Sequence, residues 1–281
     1  MTSFMPKALE VDIYTCWYGM IADFTSRSLT YDEDWLPAIA GIAKRFGVIA
    51  NDSYYAGLWR RDMILGLLWY ATGATPADTT EPARAPSWSW ASVSCGVNYN
   101  QLLSAGSDAS RIPLSPLVDI PDVSDPTTCE DHSFGVISKA SLSLSGVLLE
   151  VVRNEHEDSG LALVENGTRF AGDIENFSLD LWSWDQSVQI PLVCLPVCVR
   201  HDPYHRDIRG DGELYKGSWK KSLRTGTDEF KRSNALFCLD LQPIEGKQGT
   251  YRRVGMCHVD RHKTIEISRM AFGERRSLTI T

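Results

Sequence analysis

The stretch Ala85-Pro86-Ser87-Trp88-Ser89-Trp90-Ala91-Ser92-Val93 divides the chain into two kinds of pattern. Upstream of it, apolar residues recur at helical spacing; downstream, they alternate with a period of two. Read as an extended segment, it puts Trp88 and Trp90 on one face and Ser87, Ser89 and Ala91 on the other. Two indoles carry roughly 150–250 Å² of apolar surface each. Such a pair reads as the anchor that fixes a sheet to whatever packs on it. The other use of paired indoles, as a platform on which a ligand stacks, requires the rings to stand open in a groove.

Working back from the anchor, residues 71–86 hold Gly73, Pro76, Pro82 and Pro86 and read as a loop. A helix is predicted from Ala56 to Tyr70, with Trp59, Met63, Leu67 and Tyr70 on one face. Leu58, Leu65, Leu68 and Trp69 broaden that face, so the helix should lie between partners. A second helix carries the stripe Leu36, Ile39, Ala40, Ala43 and Phe46, with Gly47 placed to end it. Thr30 and Glu33 have capping-box spacing, but Pro37 is tolerated only in a first turn, which also allows a start at Asp34. The first helix runs from about Val11 to Ser26, with Trp17, Met20, Ile21 and Phe24 at helical spacing.

Working forward, Ser104 to Ser133 is polar and proline-rich. Strands are predicted from Leu142 to about Val152, around Phe177, Leu179 and Leu181, over Val188–Val199, around Phe237, Leu239 and Leu241, and over Tyr251–Val259 and Leu278–Ile280. Pro191 and Pro196 make the Val188–Val199 strand an edge, bulged or interrupted one. His201–Ala235 is charged and glycine-dotted and reads as a surface excursion. Segregated helices followed by strands predict an α+β fold, N-terminal helices covering a mostly antiparallel sheet or a partly closed barrel. Residues 1–281 should form one cooperative unit, since the helical part is too small to hide its own apolar faces.

Composition narrows the function. The net charge of −8 and pI near 5.3 argue against a general nucleic-acid binder. The N-terminus lacks the basic start and apolar run of a secretory signal, and no stretch approaches the roughly 18 apolar residues of a membrane span. The seven cysteines are odd in number and scattered, which predicts reduced, buried thiols in a cytosolic protein. Three matches to the glycosylation pattern, at Asn51, Asn166 and Asn176, are then idle.

Chemistry-bearing patterns are few. Cys194, Cys198, His201 and His205 have ligand-like residue types, but in an extended strand the two cysteines would share a face about 13 Å apart, at roughly 3.3 Å per residue. One ion cannot bridge that unless Pro196 bends the segment. No nucleophile elbow, phosphate loop or dinucleotide fingerprint is present. Cys95 lies beside Gly96, and Cys257 beside His258, where adjacent strand residues face opposite ways. Asp180 and Asp185 flank Trp182 and Trp184, the composition of a carbohydrate cleft. Arg27, Arg60, Arg61, Asp34 and Asp62 read as structural ion pairs or helix-end contacts. No catalytic residue, cofactor site or metal site is assigned. The structural or interaction candidates are Arg27, Asp34, Trp59, Trp88, Trp90 and Arg253.

Six phrases are more specific than their periodicity: Ser26-Arg27-Ser28-Leu29-Thr30, Leu36-Pro37-Ala38-Ile39-Ala40-Gly41-Ile42-Ala43, Tyr55-Ala56-Gly57-Leu58-Trp59, Leu67-Leu68-Trp69, the Trp88–Trp90 stretch, and Tyr251-Arg252-Arg253-Val254-Gly255. In this order they resemble the region downstream of the HET domain in fungal heterokaryon-incompatibility proteins. The resemblance is densest over residues 14–97 and returns near Tyr251. In that family the HET domain lies N-terminal to these phrases and carries patterns like Ser-Tyr-x-Trp-Gly and Ile-Asp-x-x-Cys-Ile-Asn-Gln; neither occurs here. The resemblance therefore implies the C-terminal companion region alone. It implies a non-catalytic regulatory or interaction role in non-self recognition and programmed cell death, with unidentified protein partners and without nucleic acid or a membrane span. The alternative from the residues themselves is a β-rich glycan-active hydrolase or a sugar-binding module.

Overall fold

The computed structural model describes residues 7–27, 34–73, 84–99, 114–124, 140–153, 161–165, 168–169, 178–179, 192–201, 234–259 and 274–281. Helix α1 spans Lys7–Thr25 and α2 spans Trp35–Ala50, both where the apolar spacing predicts them. Asp34 precedes α2, and Pro37 falls in its first turn, where an N–H has no intrahelical partner to lose. Gly47 does not end α2. The helix continues to Ala50, and the left-handed φ of 49° at Asn51 turns the chain so that the Asp52 N–H returns to the Gly47 carbonyl at 3.2 Å.

Residues 56–70 do not form the predicted third helix. Strands β1 (Tyr54–Tyr55) and β2 (Leu58–Trp59) make a hairpin, followed by a 3-10 turn at Arg60–Asp62, a single helical turn α3 (Met63–Gly66) and strand β3 (Tyr70–Ala71). The cause is local. Ala56 and Gly57 have φ of 44° and 95°, the pair of positive values that a two-residue hairpin turn needs. A side chain at Gly57 is also excluded by space, because its Cβ would stand 2.3 Å from the Trp90 indole nitrogen.

The Trp88–Trp90 stretch is not extended either. It folds into turns, the second a 3-10 turn at Trp90–Ser92 that starts when Ser89 Oγ accepts the Ala91 N–H at 3.0 Å. Trp88, Ser89, Trp90 and Ala91 are all fully buried. The indoles are an anchor, but one threaded through the core instead of laid along a sheet. Strand β4 (Val97–Asn98) then pairs with β3.

The remaining strands are β5 (Leu114–Pro116), β6 (Asp119–Ser124), β7 (Ser141–Gly146), β8 (Leu149–Arg153), β9 (Leu161–Glu165), β10 (Thr168–Arg169), β11 (Ser178–Leu179), β12 (Leu192–His201), β13 (Asn234–Pro243), β14 (Thr250–Val259) and β15 (Arg276–Ile280). They form one sheet in the order β10-β9-β8-β12-β13-β14-β15-β7-β6, with β11 on β14 and β5 on β12. Its ladders are antiparallel except β14–β15. No barrel closure is seen among the described residues. The polar stretch from Ser104 thus contains two strands, and the predicted strand from Leu142 to Val152 is two. These part at Val147–Leu148 and take different neighbours. The excursion after His201 lies outside the described residues.

Strand β12 is central, not an edge. It pairs with β13 along its length, and on its other side with β8 up to Cys194 and with β5 from Cys198. Pro196 falls in the gap between those two partners, where its missing N–H interrupts no ladder. At the same place a bulge at Val197 shifts the register against β13. A second bulge, at Val254, shifts β14 against β13. One face of the sheet, with Leu195, Phe237, Leu239, Leu241, Met256, Leu278 and Ile280, joins the aromatic residues of α1, α2 and the hairpin in a single core.

The depth of Trp88 fixes an expectation. Trp88→Ala should lower stability by about 3–5 kcal/mol in urea unfolding; a change under about 1 kcal/mol would mean that the ring is not packed as described.

Candidate functional site

The bulge at Val254 aims Arg253. With one residue inserted, Arg253 comes to lie opposite Leu241 on the aromatic side of the sheet, where it is 2% exposed. Its guanidinium carbon stands 3.5 Å from the centre of the Trp69 ring. Nη1 donates to the Leu67 carbonyl at 2.6 Å and Nη2 to the Trp69 carbonyl. These carbonyls belong to the turn that leaves α3. A planar fork suits two neighbouring carbonyls and an indole face at once, which an ammonium does not. The Arg253 N–H donates to Ser87 Oγ at 2.9 Å, and Ser87 in turn donates through Oγ and N–H to the Thr281 carbonyl. Trp69 Nε1 donates to the Trp88 carbonyl at 3.1 Å. The seam therefore joins the α3 turn, the tryptophan stretch, β14 and the last residue.

The hairpin turn is tied in from the other side. Trp17 and Trp90 both donate their indole N–H to the Gly57 carbonyl, at 3.3 and 3.0 Å, and Ser89 Oγ donates to the Ala56 carbonyl. Buried Asp62 accepts the Tyr18 hydroxyl at 2.6 Å, and Asp52 accepts that of Tyr14 at 2.7 Å. Burial first, then the Asp52 carboxylate, raises the Tyr14 hydroxyl above its ordinary range, so it stays a donor. Trp59 is fully buried, with ring centroids 5.2 Å from Trp17 and 5.1 Å from Tyr54. Arg60 donates to the Ile120 carbonyl and Arg61 to the Ala50 carbonyl. Among the described residues Arg27 pairs with Asp23 at the surface, and Asp34 is exposed with no capping bond. Asp180, Asp185, Trp182, Trp184, His205 and Cys129 lie outside the described residues.

On the opposite face of the sheet, Cys194, Cys238 and Cys257 come from β12, β13 and β14. Their Sγ atoms all lie within 4.8 Å of one another, with Cys194 and Cys257 3.9 Å apart. Cys257 Sγ donates to Asp240 Oδ1 at 3.2 Å. All four side chains are fully buried. Hydrogen bonds within the trio are the largest influence on these thiols and partly oppose one another. Burial and the Asp240 charge push the same way, and each thiol ends well above its ordinary pKa. Uncharged thiols are poor nucleophiles, so the trio as it stands is not a reactive centre.

The sequence pairs Cys194 with the wrong partner. An unbroken strand puts Cys198 on the same face, but the bulge at Val197 turns it opposite Phe237, into the aromatic core. There burial pushes its thiol up to about 12. Cys238 and Cys257 sit directly opposite each other only because of the bulge at Val254; an unbroken hairpin register would set Cys238 against Met256. The cue available was two cysteines flanking one hairpin, Cys238 and Cys257, in strands the periodicity does predict.

Comparison with known proteins found no matching family model, no matching curated protein and no matching solved structure. Among the described residues no helix is long and apolar enough to cross a membrane.

Arg253→Lys keeps the charge and loses the fork. It should lower stability by about 2–4 kcal/mol in urea unfolding followed by tryptophan fluorescence. A midpoint within error of the parent would show that the two carbonyls do not depend on the guanidinium.

Proposed function

We propose that this chain is a non-catalytic support and interaction region of a fungal incompatibility protein, acting in the cytosol beside a HET domain and through protein contacts. The order of the six phrases is the basis for the family. One structural observation carries the non-catalytic part of the reading. Gly57, Trp69, Ser87, Trp88, Ser89, Trp90 and Arg253, distinctive residues of those phrases, are linked by a chain of buried and half-buried hydrogen bonds, and Trp59 packs in the same core. Residues used this way hold elements together. Trp88 and Trp90 are fully buried, so neither offers a face to a sugar, which removes the main support for a glycan-binding groove at this stretch.

The same reading takes residues 1–281 as one folding unit and takes the sheet as bent toward a partly closed barrel. Supporting the latter, β5 pairs with β12 while β6, two residues further on, pairs with β7 at the far end of the strand order.

The reading is tested in a filamentous fungus. Expressed alone, the chain should leave growth unchanged. Joined behind a HET domain, it should alter the dose at which that domain arrests growth, and Trp88→Ala should abolish the alteration. Arrest indifferent to the chain, or release of reducing sugar from a polysaccharide panel by the purified protein, would contradict it.

A further inference from the structure

We propose that Cys194, Cys238 and Cys257, completed by Asp240, form a buried structural site for one zinc ion. The geometry is that of a ligand set. Zinc–sulfur bonds of about 2.3 Å at tetrahedral angles place sulfurs about 3.8 Å apart, and Cys194 and Cys257 stand 3.9 Å apart with the third Sγ inside the same 4.8 Å limit. Three adjacent strands supply one thiol each, so the positions are fixed by ladder hydrogen bonds and not by a loop. Asp240 lies opposite Cys194 in the ladder and its Oδ1 accepts from Cys257 Sγ at 3.2 Å, so a carboxylate borders the trio on the Cys257 side and can complete the set as the fourth donor.

The chemistry selects the ion. Thiolates are soft donors that favour zinc or copper(I) over magnesium, calcium or manganese. Four donors on a closed, fully buried site match structural zinc, which keeps no open position for water. A disulfide between the opposed Cys238 and Cys257 would use two sulfurs and leave Cys194 and Asp240 without a part; one tetrahedral ion uses all four groups. Loading exchanges three S–H protons for one dication. Three protons leave to water, no electron moves, and the net charge of the site changes by −1. Because three protons leave on loading, affinity rises with pH. Since all four side chains are sealed from solvent, the ion must enter before the three strands close.

The experiment refolds the full chain from urea with cobalt(II) or zinc. With cobalt, the parent should show the thiolate-to-cobalt charge-transfer band and the intense visible bands of a tetrahedral site. With zinc, it should retain one ion per chain after dialysis against a weak chelator. Cys238→Ala should lose both signals, whereas Cys198→Ala, a buried thiol on the other face, should keep them. Removal of zinc from the parent by a strong chelator should lower its thermal midpoint, which keeps the proposal testable even if Cys238→Ala does not fold. Weak octahedral cobalt bands, a cobalt spectrum that survives Cys238→Ala, or a midpoint indifferent to zinc would each overturn it.

Discussion

The guanidinium of Arg253 lies between two main-chain carbonyls and the face of Trp69, out of reach of water, and this burial constrains everything around it. A cation in such a place is tolerable only while its donors stay satisfied, because an uncompensated buried charge costs several kcal/mol. The turn at Leu67–Trp69 must therefore stay on β14, and Ser87 must stay against the Arg253 N–H and the Thr281 carbonyl. The helical region is thereby fixed to a strand that it reaches only through a long intervening length of chain.

Two inserted residues decide what each face of the sheet can do. Val254 sends Arg253 to the aromatic side and Cys257 to the opposite side, beside Cys238; without it one of the two would change faces. Val197 does the same for Cys198 and Cys194. A period-two strand has no freedom to place neighbouring features this way, since a one-residue slip reverses every side chain. The bulges produce a sheet with tryptophan and leucine packing on one face and a thiol–carboxylate cluster on the other.

Much of the architecture is legible in the sequence, and the failures share a cause. Helices α1 and α2 are legible because each buries one stripe and shows another to solvent, and of the two starts that the sequence leaves open for α2, the one at Asp34 puts Pro37 in the first turn. The run from Ala56 to Tyr70 misleads because most of it is apolar and buried, so a helical face can be picked out of residues that are buried for other reasons. Only Ala56-Gly57, with positive φ at both residues, marks the hairpin. Ser-Trp-Ser-Trp imitates a strand because its alternation is real but serves another purpose: Ser89 is buried as a cap, and half-buried Ser87 clamps the Thr281 carbonyl. The thiol cluster is hidden for another reason: it depends on cross-strand register, and that is set by two bulges which apolar alternation does not reveal. A proline at 196 and a glycine at 255 are the only marks they leave.

The coupling of helices to sheet through Arg253 and the buried indoles is tested most directly by native-state hydrogen exchange. Amides in the middle of α1 and in β13 should exchange with one common free energy, equal to that of global unfolding, because neither part can open while the seam holds. Exchange of α1 at a distinctly lower free energy, with β13 still protected, would show that the helical region opens by itself and that the seam does not bind the two together.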